Sequence, residues 1–394
     1  MITGSKELIR DINLTLVLET IISKGPISRA AISKTLGLTK ATISAIVTDL
    51  IQKQLIIEVG SDNTHLGRKP ILLSLNADAG YVISIDVGVD TLSALRSNLT
   101  GNKCKLLQRP TPTRNKEILI ELTKLIEEIM LKEGETSYGL IGISLGIHGV
   151  VKNNHISFAP YYELSKLDLA NYLEDSFHTK VFLENEANLS VLGETAFMPE
   201  YNSIANISVH SGLGLGLLID NNLYTGYSGY AGEIGHTIVD IDGKPCPCGN
   251  FGCLEQYVSE RVLLQEFKEA KKLDKVDFDL LASMYQTGDL EAVKIFQKFI
   301  KYMTICINNI LNSYNPDIVI INSAFTRFFP DITKEIEHSL NSRLNSVLHI
   351  YPSRLQDSSI LIGGVCVAVK NFLGIHSLKL ETNNLINNKE LAPF

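Results

Sequence analysis

The sequence predicts a mixed α/β protein headed by a winged helix-turn-helix, and three observations predict it. Residues 1–76 read as three helices followed by a hairpin. The residues after them alternate strand, turn and helix, the pattern of a layered α/β domain. Charge divides at the same border: residues 1–76 carry +3 within a chain of net charge −7, which leaves −10 for the remainder. At 394 residues the chain is too long for one ordinary core. Hydrophobic residues at 45% and charged residues at 20% match a soluble globular protein. No apolar run approaches the roughly 18–20 residues of a membrane span. The opening MITGSKELIRDIN lacks a signal-peptide core, so a cytoplasmic protein without a membrane partner is expected.

In the head, Leu14, Val17, Leu18, Ile21 and Ile22 recur at helical spacing from Asp11 to Lys24. Gly25 and Pro26 stop that helix. Ser28 caps a second helix, Arg29 to Leu36, which ends at Gly37. Thr39 caps a third, whose Ile43, Ile46, Val47 and Leu50 form one inward stripe. Two short helices joined by a glycine-containing turn make a helix-turn-helix. Leu55 to Val59 and Ile71 to Leu75 flank a polar loop and read as the wing, with His65, Arg68 and Lys69 at its tip.

The third helix therefore presents Lys40, Ala41, Thr42, Ser44, Ala45 and Thr48 outward. Small and hydroxyl side chains allow close approach to base edges and phosphates. With Arg29, Thr39, Arg68 and Lys69 they are the candidate contacts to double-stranded DNA, and the basic balance of the head suits a polyanion. A solvated helix in an interaction module would show the same stripe. The ordered succession of helices, recognition face and basic wing tip favours DNA.

Beyond the head, strands are predicted at Tyr81–Gly88, Leu92–Leu99, Leu140–Leu145, Val181–Glu184, Ile204–Val209 and Ile318–Ile321. Helices are expected over about 116–133, from the Asn185-Glu186-Ala187-Asn188 run to about Phe197, and across much of 277–311. Ser211 to Gly216 reads as a glycine-rich turn. The tail after about Leu380 has little apolar periodicity.

The strongest chemical signal is Gly232-Glu233-Ile234-Gly235-His236, followed by Cys246-Pro247-Cys248-Gly249-Asn250-Phe251-Gly252-Cys253-Leu254-Glu255. Of six cysteines, three fall within these eight positions, which in a cytoplasmic protein favours metal over disulfides. His236, Cys246, Cys248 and Cys253 offer one imidazole and three thiolates, a tetrahedral set for Zn2+. Four protein ligands close the site, so the zinc would be structural. Carboxylates accept hydrogen bonds from sugar hydroxyls, and Glu233 and Glu255 flank this loop.

These residues resemble the ROK family of repressors and sugar kinases over nearly the whole chain; the GEIGH and CPCGNFGCLE segments carry the resemblance, and the ENEAN run at 184–188 agrees with it. The resemblance implies an actin/hexokinase-like (ribonuclease H-like) pair of lobes with sugar in the cleft. It implies a head at 1–76, a first lobe at 77–195 completed by about 372–394, and a second lobe at 196–371. It also implies that Asn185, Glu186, Glu233, His236 and Glu255 surround a monosaccharide effector, and that the protein is a homodimer or homotetramer.

Departures from the kinase pattern point to a regulator without catalysis. Asp86-Val87-Gly88-Val89-Asp90-Thr91 keeps one Asp and one Gly of the kinase phosphate loop, loses its second Gly and Lys, and gains Asp90. An added carboxylate would repel a triphosphate. Glu186 stands where kinases use Asp as general base, and the extra methylene displaces the carboxylate by about 1 Å. Asn322-Ser323 stands where kinases have a Gly pair near the nucleotide. Gly146-Ile147-His148-Gly149-Val150 resembles the xylose-responsive repressor branch, with His148 where many relatives carry Pro. Two rival readings are an active sugar kinase with an appended DNA-binding head, and a module that recruits a protein through its zinc lobe.

Overall fold

The computed structural model describes residues 6–61, 70–112, 115–130, 136–160, 162–198, 200–340 and 349–380. The head comprises α1 (Lys6–Lys24), β1 (Ile27–Ser28), α2 (Arg29–Leu36), α3 (Lys40–Gln52), β2 (Ile56–Ser61) and β3 (Ile71–Leu75), with sheet order β1-β3-β2. Ser28 Oγ accepts from Ala31 N–H at 3.2 Å and Thr39 Oγ1 from Thr42 N–H at 3.1 Å, so both expected caps form. Gly37 ends α2 in the left-handed conformation that its lack of a Cβ permits. Val17, Leu18, Ile32, Ile43, Val47 and Leu50 are fully buried and make the head's core. α1 starts at Lys6, five residues before the expected Asp11. Leu8 and Ile9 of that extension are exposed and give no inward stripe to read. The wing tip, with His65, Arg68 and Lys69, lies outside the described residues.

The next elements are β4 (Tyr81–Val87), β5 (Thr91–Asn98), β6 (Lys105–Pro110), α4 (Asn115–Met130), β7 (Leu140–Ile147), β8 (Val150–Lys152), β9 (His155–Phe158), α5 (Leu169–Phe177), β10 (Val181–Asn185) and α6 (Glu186–Thr195). They build a five-stranded sheet of order β6-β5-β4-β7-β10. β6 was not foreseen. It is a partly exposed edge strand ending in Pro110, a residue that edges tolerate and that blurs a strand signature.

Then follow β11 (Ile204–Val209), β12 (Leu213–Ile219), β13 (Asn222–Leu223), α7 (Glu255–Val258), α8 (Glu260–Lys271), α9 (Phe278–Gln286), α10 (Leu290–Tyr314), β14 (Ile318–Ser323), α11 (Ala324–Phe328), α12 (Ile332–Ser339), β15 (His349–Pro352) and α13 (Ser359–Leu373). The second sheet has order β13-β12-β11-β14-β15. Each sheet thus places its first three strands as an antiparallel meander, with its fourth and fifth beyond the first. One plan occurs twice. β11 pairs parallel with β14, and both are buried along their whole length, which is why they read as unbroken apolar runs.

The glycine-rich stretch is corrected here. The turn ends at Gly212, and Leu213 to Gly216 lie within β12. A Cβ on Gly216 would stand 2.1 Å from the Ala187 carbonyl oxygen, so the glycines let α6 lie directly on the strand.

Contacts divide the chain into two units. One runs through Gly146, returns up to Leu183 and resumes at Gly364; the other takes Ile147–Pro160 and Glu184–Gly363. The head thus clusters with the first sheet. These borders differ from 195/196 and 371/372 because α6 and the start of α13 pack with the second sheet.

α6 also buries a carboxyl. Glu194 is 1% exposed and accepts from Ser353 Oγ and from Leu355 N–H at 3.3 Å. Burial raises its pKa, an effect that Ser353 and the neighbouring N–H groups only partly oppose. A raised folded pKa means the folded state holds the proton longer. Stability therefore falls as pH climbs from the ordinary glutamate value, about 4.3, toward the folded one. Glu194→Gln should gain on the wild type in melting temperature as pH rises from 4 to 8. A gap constant across that range would contradict this.

Candidate functional site

The metal cluster grows from a loop in which almost every turn is hydrogen-bonded. Cys246 N–H donates to Asn250 O at 2.8 Å, Gly249 N–H to Cys246 O at 3.0 Å, and Gly252 N–H to Lys244 O at 2.8 Å. Gly252 has φ of 71°, and a Cβ there would lie 1.5 Å from Asp240 O, so only glycine fits. His236 enters from a 3-10 turn, Ile234–His236, and the bridge between Ile238 and Cys253 ties that turn to the loop.

The ligand atoms of His236, Cys246, Cys248 and Cys253 all lie within 4.8 Å of one another. His236 Nδ1 is 3.6 Å from Cys246 Sγ, and Cys248 Sγ is 3.6 Å from Cys253 Sγ. Zinc bonds of about 2.3 Å to sulfur and 2.0–2.1 Å to nitrogen, at tetrahedral angles, demand edges of roughly 3.6–3.8 Å. These two edges fit a metal ion. Burial pushes the Cys253 thiol up to about 12, so a bound cation would have to displace its proton. Gln256, which sequence reasoning missed, places Nε2 3.7 Å from Cys246 Sγ and 3.3 Å from Glu255 Oε1, linking a thiolate to a carboxylate.

The expected sugar residues all fall in the second unit. With Nδ1 turned to the cysteines, His236 presents Nε2 3.9 Å from Glu233 Oε2. Burial raises the Glu233 pKa, which His236 opposes and Glu255 reinforces. Bare glycines just before and within β12 admit the other carboxylates. A Cβ on Gly212 would lie 3.0 Å from Glu255 Oε2, and one on Gly214 would lie 3.3 Å from Glu186 Oε1. Gly212 and Gly214 are two positions apart in the chain, so Glu255 and Glu186 approach the same short stretch at the start of β12.

Asn185, expected at the sugar, has its polar side chain engaged within the protein. Its Oδ1 accepts from Ala187 N–H at 2.8 Å and Asn188 N–H at 3.2 Å. Its Nδ2 donates to Gly149 O at 2.9 Å and Glu186 Oε2 at 2.6 Å. Two donors and two acceptors are thereby used, so Asn185 caps α6 and aims Glu186. The same bond fixes the turn after the half-buried His148 beside α6. The patch is a wall of carboxylates and one imidazole, suited to hydroxyl groups.

In the head, Lys40, Ala41, Ser44 and Ala45 are exposed on one face of α3, and the Thr39 and Thr42 hydroxyls share a 2.9 Å hydrogen bond. Arg29 is engaged by Glu58 of β2 at 3.0 Å, so a phosphate would have to compete for it.

Residues 82–371 match the ROK family. The chain belongs to that family. It is 34% identical over 378 residues to the xylose repressor of Bacillus spizizenii, covering 93% of this chain and 97% of that one. The N-acetylglucosamine repressor of Escherichia coli is 26% identical, covering 86% of this chain and 87% of its own. Among solved structures, a ROK family transcriptional regulator described as a homologue of the E. coli MLC protein superposes with a TM-score of 0.78 at 25% identity, covering 93% of this chain and 96% of that chain. A ROK family glucokinase from Streptomyces griseus, in complex with glucose and AMPPNP, shares the fold at TM-score 0.66 and 21% identity, covering 73% of this chain and 99% of its own. The fold is thus the ROK actin/hexokinase-like one, and the duplicated sheet plan described above is that fold in this chain. Among the described residues, no helix is long and apolar enough to cross a membrane.

Proposed function

We propose that this chain is a sugar-responsive transcriptional repressor in which the winged helix holds double-stranded operator DNA and xylose, or a related monosaccharide, releases it. The observation that carries this reading is a metal-ligand cluster flanked by Glu233 and Glu255, with Glu186 close to Gly214 of β12, in a chain that also bears a winged helix. The similarity to proteins named xylose repressor, over 93% of the chain, supports the effector class.

Zinc, when bound, supplies rigidity to the loop. Glu233 and Glu255 then accept from sugar hydroxyls, His236 Nε2 adds a polar contact, and Asn185 holds Glu186 toward the ring. Two heads of a homodimer, or two pairs in a homotetramer, would meet a palindromic operator with each α3 in a major groove. Arg68 and Lys69 would contact the backbone at the wing, and Arg29, Thr39, Lys40, Thr42 and Ser44 would flank the bases.

Kinase activity is not expected. Asp90 is exposed in the tight β4–β5 turn, where a kinase would cradle phosphates with backbone alone. In the second unit the carboxyl of Glu260 accepts from Ser323 Oγ at 3.1 Å and from Ala324 N–H, at the Asn322-Ser323 position that kinases keep open. Burial raises the Glu260 pKa, and the group occupies donors a nucleotide would need.

Anisotropy of a labelled upstream duplex, with xylose, glucose or N-acetylglucosamine added, tests the reading. An allosteric coupling of about 1–3 kcal/mol corresponds to a 5- to 150-fold loss of operator affinity with the true effector. Incubation with ATP, magnesium and the same sugars should give no phosphorylated sugar. Turnover near 1 per second or faster would transfer the assignment to a kinase.

A further inference from the structure

α6 starts at Glu186, capped by Asn185, and its later turns lie against α13. Ser190 and Ser359 share a 2.8 Å hydrogen bond. A Cβ on Gly193 would lie 2.3 Å from Ser359 O, and one on Gly363 would lie 1.8 Å from Leu189 O. The two helices therefore touch backbone to backbone, and either can shift only if the other does. Asn322 Nδ2 holds the same Ser359 hydroxyl at 3.1 Å.

The border between the two units falls inside α13, between Gly363 and Gly364. Gly364 serves the other unit: a Cβ there would lie 2.1 Å from Ser84 Oγ and 3.1 Å from Ser144 Oγ, on β4 and β7. A helix of this length is a rod about 22 Å long. It begins among the elements that carry the effector site and ends in the unit that carries the head.

Its far end is fastened to the head. Gly374 caps α13 at φ of 63°, and its carbonyl accepts from Thr15 Oγ1 at 3.2 Å. His376 N–H and Ser377 N–H both donate to Glu19 Oε1, at 2.7 and 3.1 Å. Ile375 and Leu380 are buried on either side of these two residues. Hydrogen bonds to a carboxylate are about twice as strong as neutral ones. Thr15 and Glu19 sit one turn apart on α1, whose Val17, Leu18 and Ile21 lie in the core that also takes the inward stripe of α3. A shift of α1 is therefore felt by the recognition helix.

We propose that α6 and α13 transmit effector binding to the head, and that Glu19 is the coupling residue, clamping His376 and Ser377 onto α1. This rests on the repressor reading above. No residue of the clamp belongs to the proposed sugar or DNA contact sets. A contiguous packed path acquires meaning only through measured coupling.

The experiment uses full-length, zinc-loaded Glu19→Ala and Thr15→Val beside the wild type. Sugar affinity is read by calorimetry and operator affinity by anisotropy, with and without saturating xylose. Glu19→Ala is expected to bind xylose within about threefold of the wild type, while the sugar-induced loss of operator affinity shrinks from the 5- to 150-fold range to under about twofold. Thr15→Val should lie between. An intact sugar response in Glu19→Ala overturns the proposal, whatever the operator affinity itself becomes. No sugar response in the wild type would instead strike at the repressor reading. Should the variant bind no operator or fail to fold, hydrogen exchange of the wild type decides. Saturating sugar should change protection of the His376 and Ser377 amides, and unchanged protection overturns the clamp.

Discussion

Cys253→Ser is expected to remove the metal and the sugar response together while leaving operator binding in place. Cys253 is fully buried, its sulfur sits 3.6 Å from that of Cys248, and Leu254 and Glu255 follow it directly in the chain. Structural zinc contributes about 10–16 kcal/mol to the folding of small sites, and losing one of four ligands forfeits much of it. The loop that presents Glu233 and Glu255 then has only its own hydrogen bonds, and Gln256 loses the thiolate it joins to Glu255. Emission spectroscopy should fall from about one ion per chain to under a tenth, and xylose affinity should drop more than about 100-fold, or 2.7 kcal/mol. The head clusters with the other unit, so operator affinity should stay within a few-fold of the wild type. The variant would be a repressor deaf to sugar. Normal xylose affinity in a metal-free preparation would end the structural-metal account.

A second large effect is expected from Ala41→Glu, and its value lies in separating DNA contact from stability. Ala41 is exposed in the first turn of α3, two residues after the Thr39 cap. A carboxylate at that position favours the helix, contributing about 0.3–1 kcal/mol through the N-terminal dipole. The same carboxylate in a major groove faces phosphates and the acceptor-rich edges of bases. Melting temperature should hold or rise slightly, while operator affinity falls at least about 100-fold. Xylose affinity, measured on the same sample, should not change. Wild-type operator binding by this variant would show that another face of the head meets DNA.

Much of the head was legible because its signals are local. Ser28, Gly37 and Thr39 mark helix ends by satisfying or freeing a few backbone groups, and the apolar stripe of α3 repeats at the helical period. The metal set was legible for a similar reason. Cys246, Cys248 and Cys253 lie on one short loop, and coordination chemistry admits few other uses for three cysteines and a histidine at that spacing. The start of α1 and the edge strand β6 were not, since exposed elements carry no inward pattern.

Tertiary structure alone decided how distant segments meet. Gly212, Gly214 and Gly216 look like a flexible turn in sequence. That Gly214 and Gly216 are bare strand positions, and Gly212 a bare turn position beside Glu255, appears only when α6 and Glu255 are set against them. That the side chain of Asn185 caps α6 and bonds Gly149 and Glu186 appears only in the fold. The fastening of Glu19 to His376 and Ser377 joins residues more than 350 positions apart, a pairing that no local period encodes. Caps, stripes and ligand spacing act over a few residues and are written in order along the chain. The carboxylate patch and the fastening of Glu19 depend on contacts between segments distant in the chain, and those are fixed by the packing of each sheet and the helices on it.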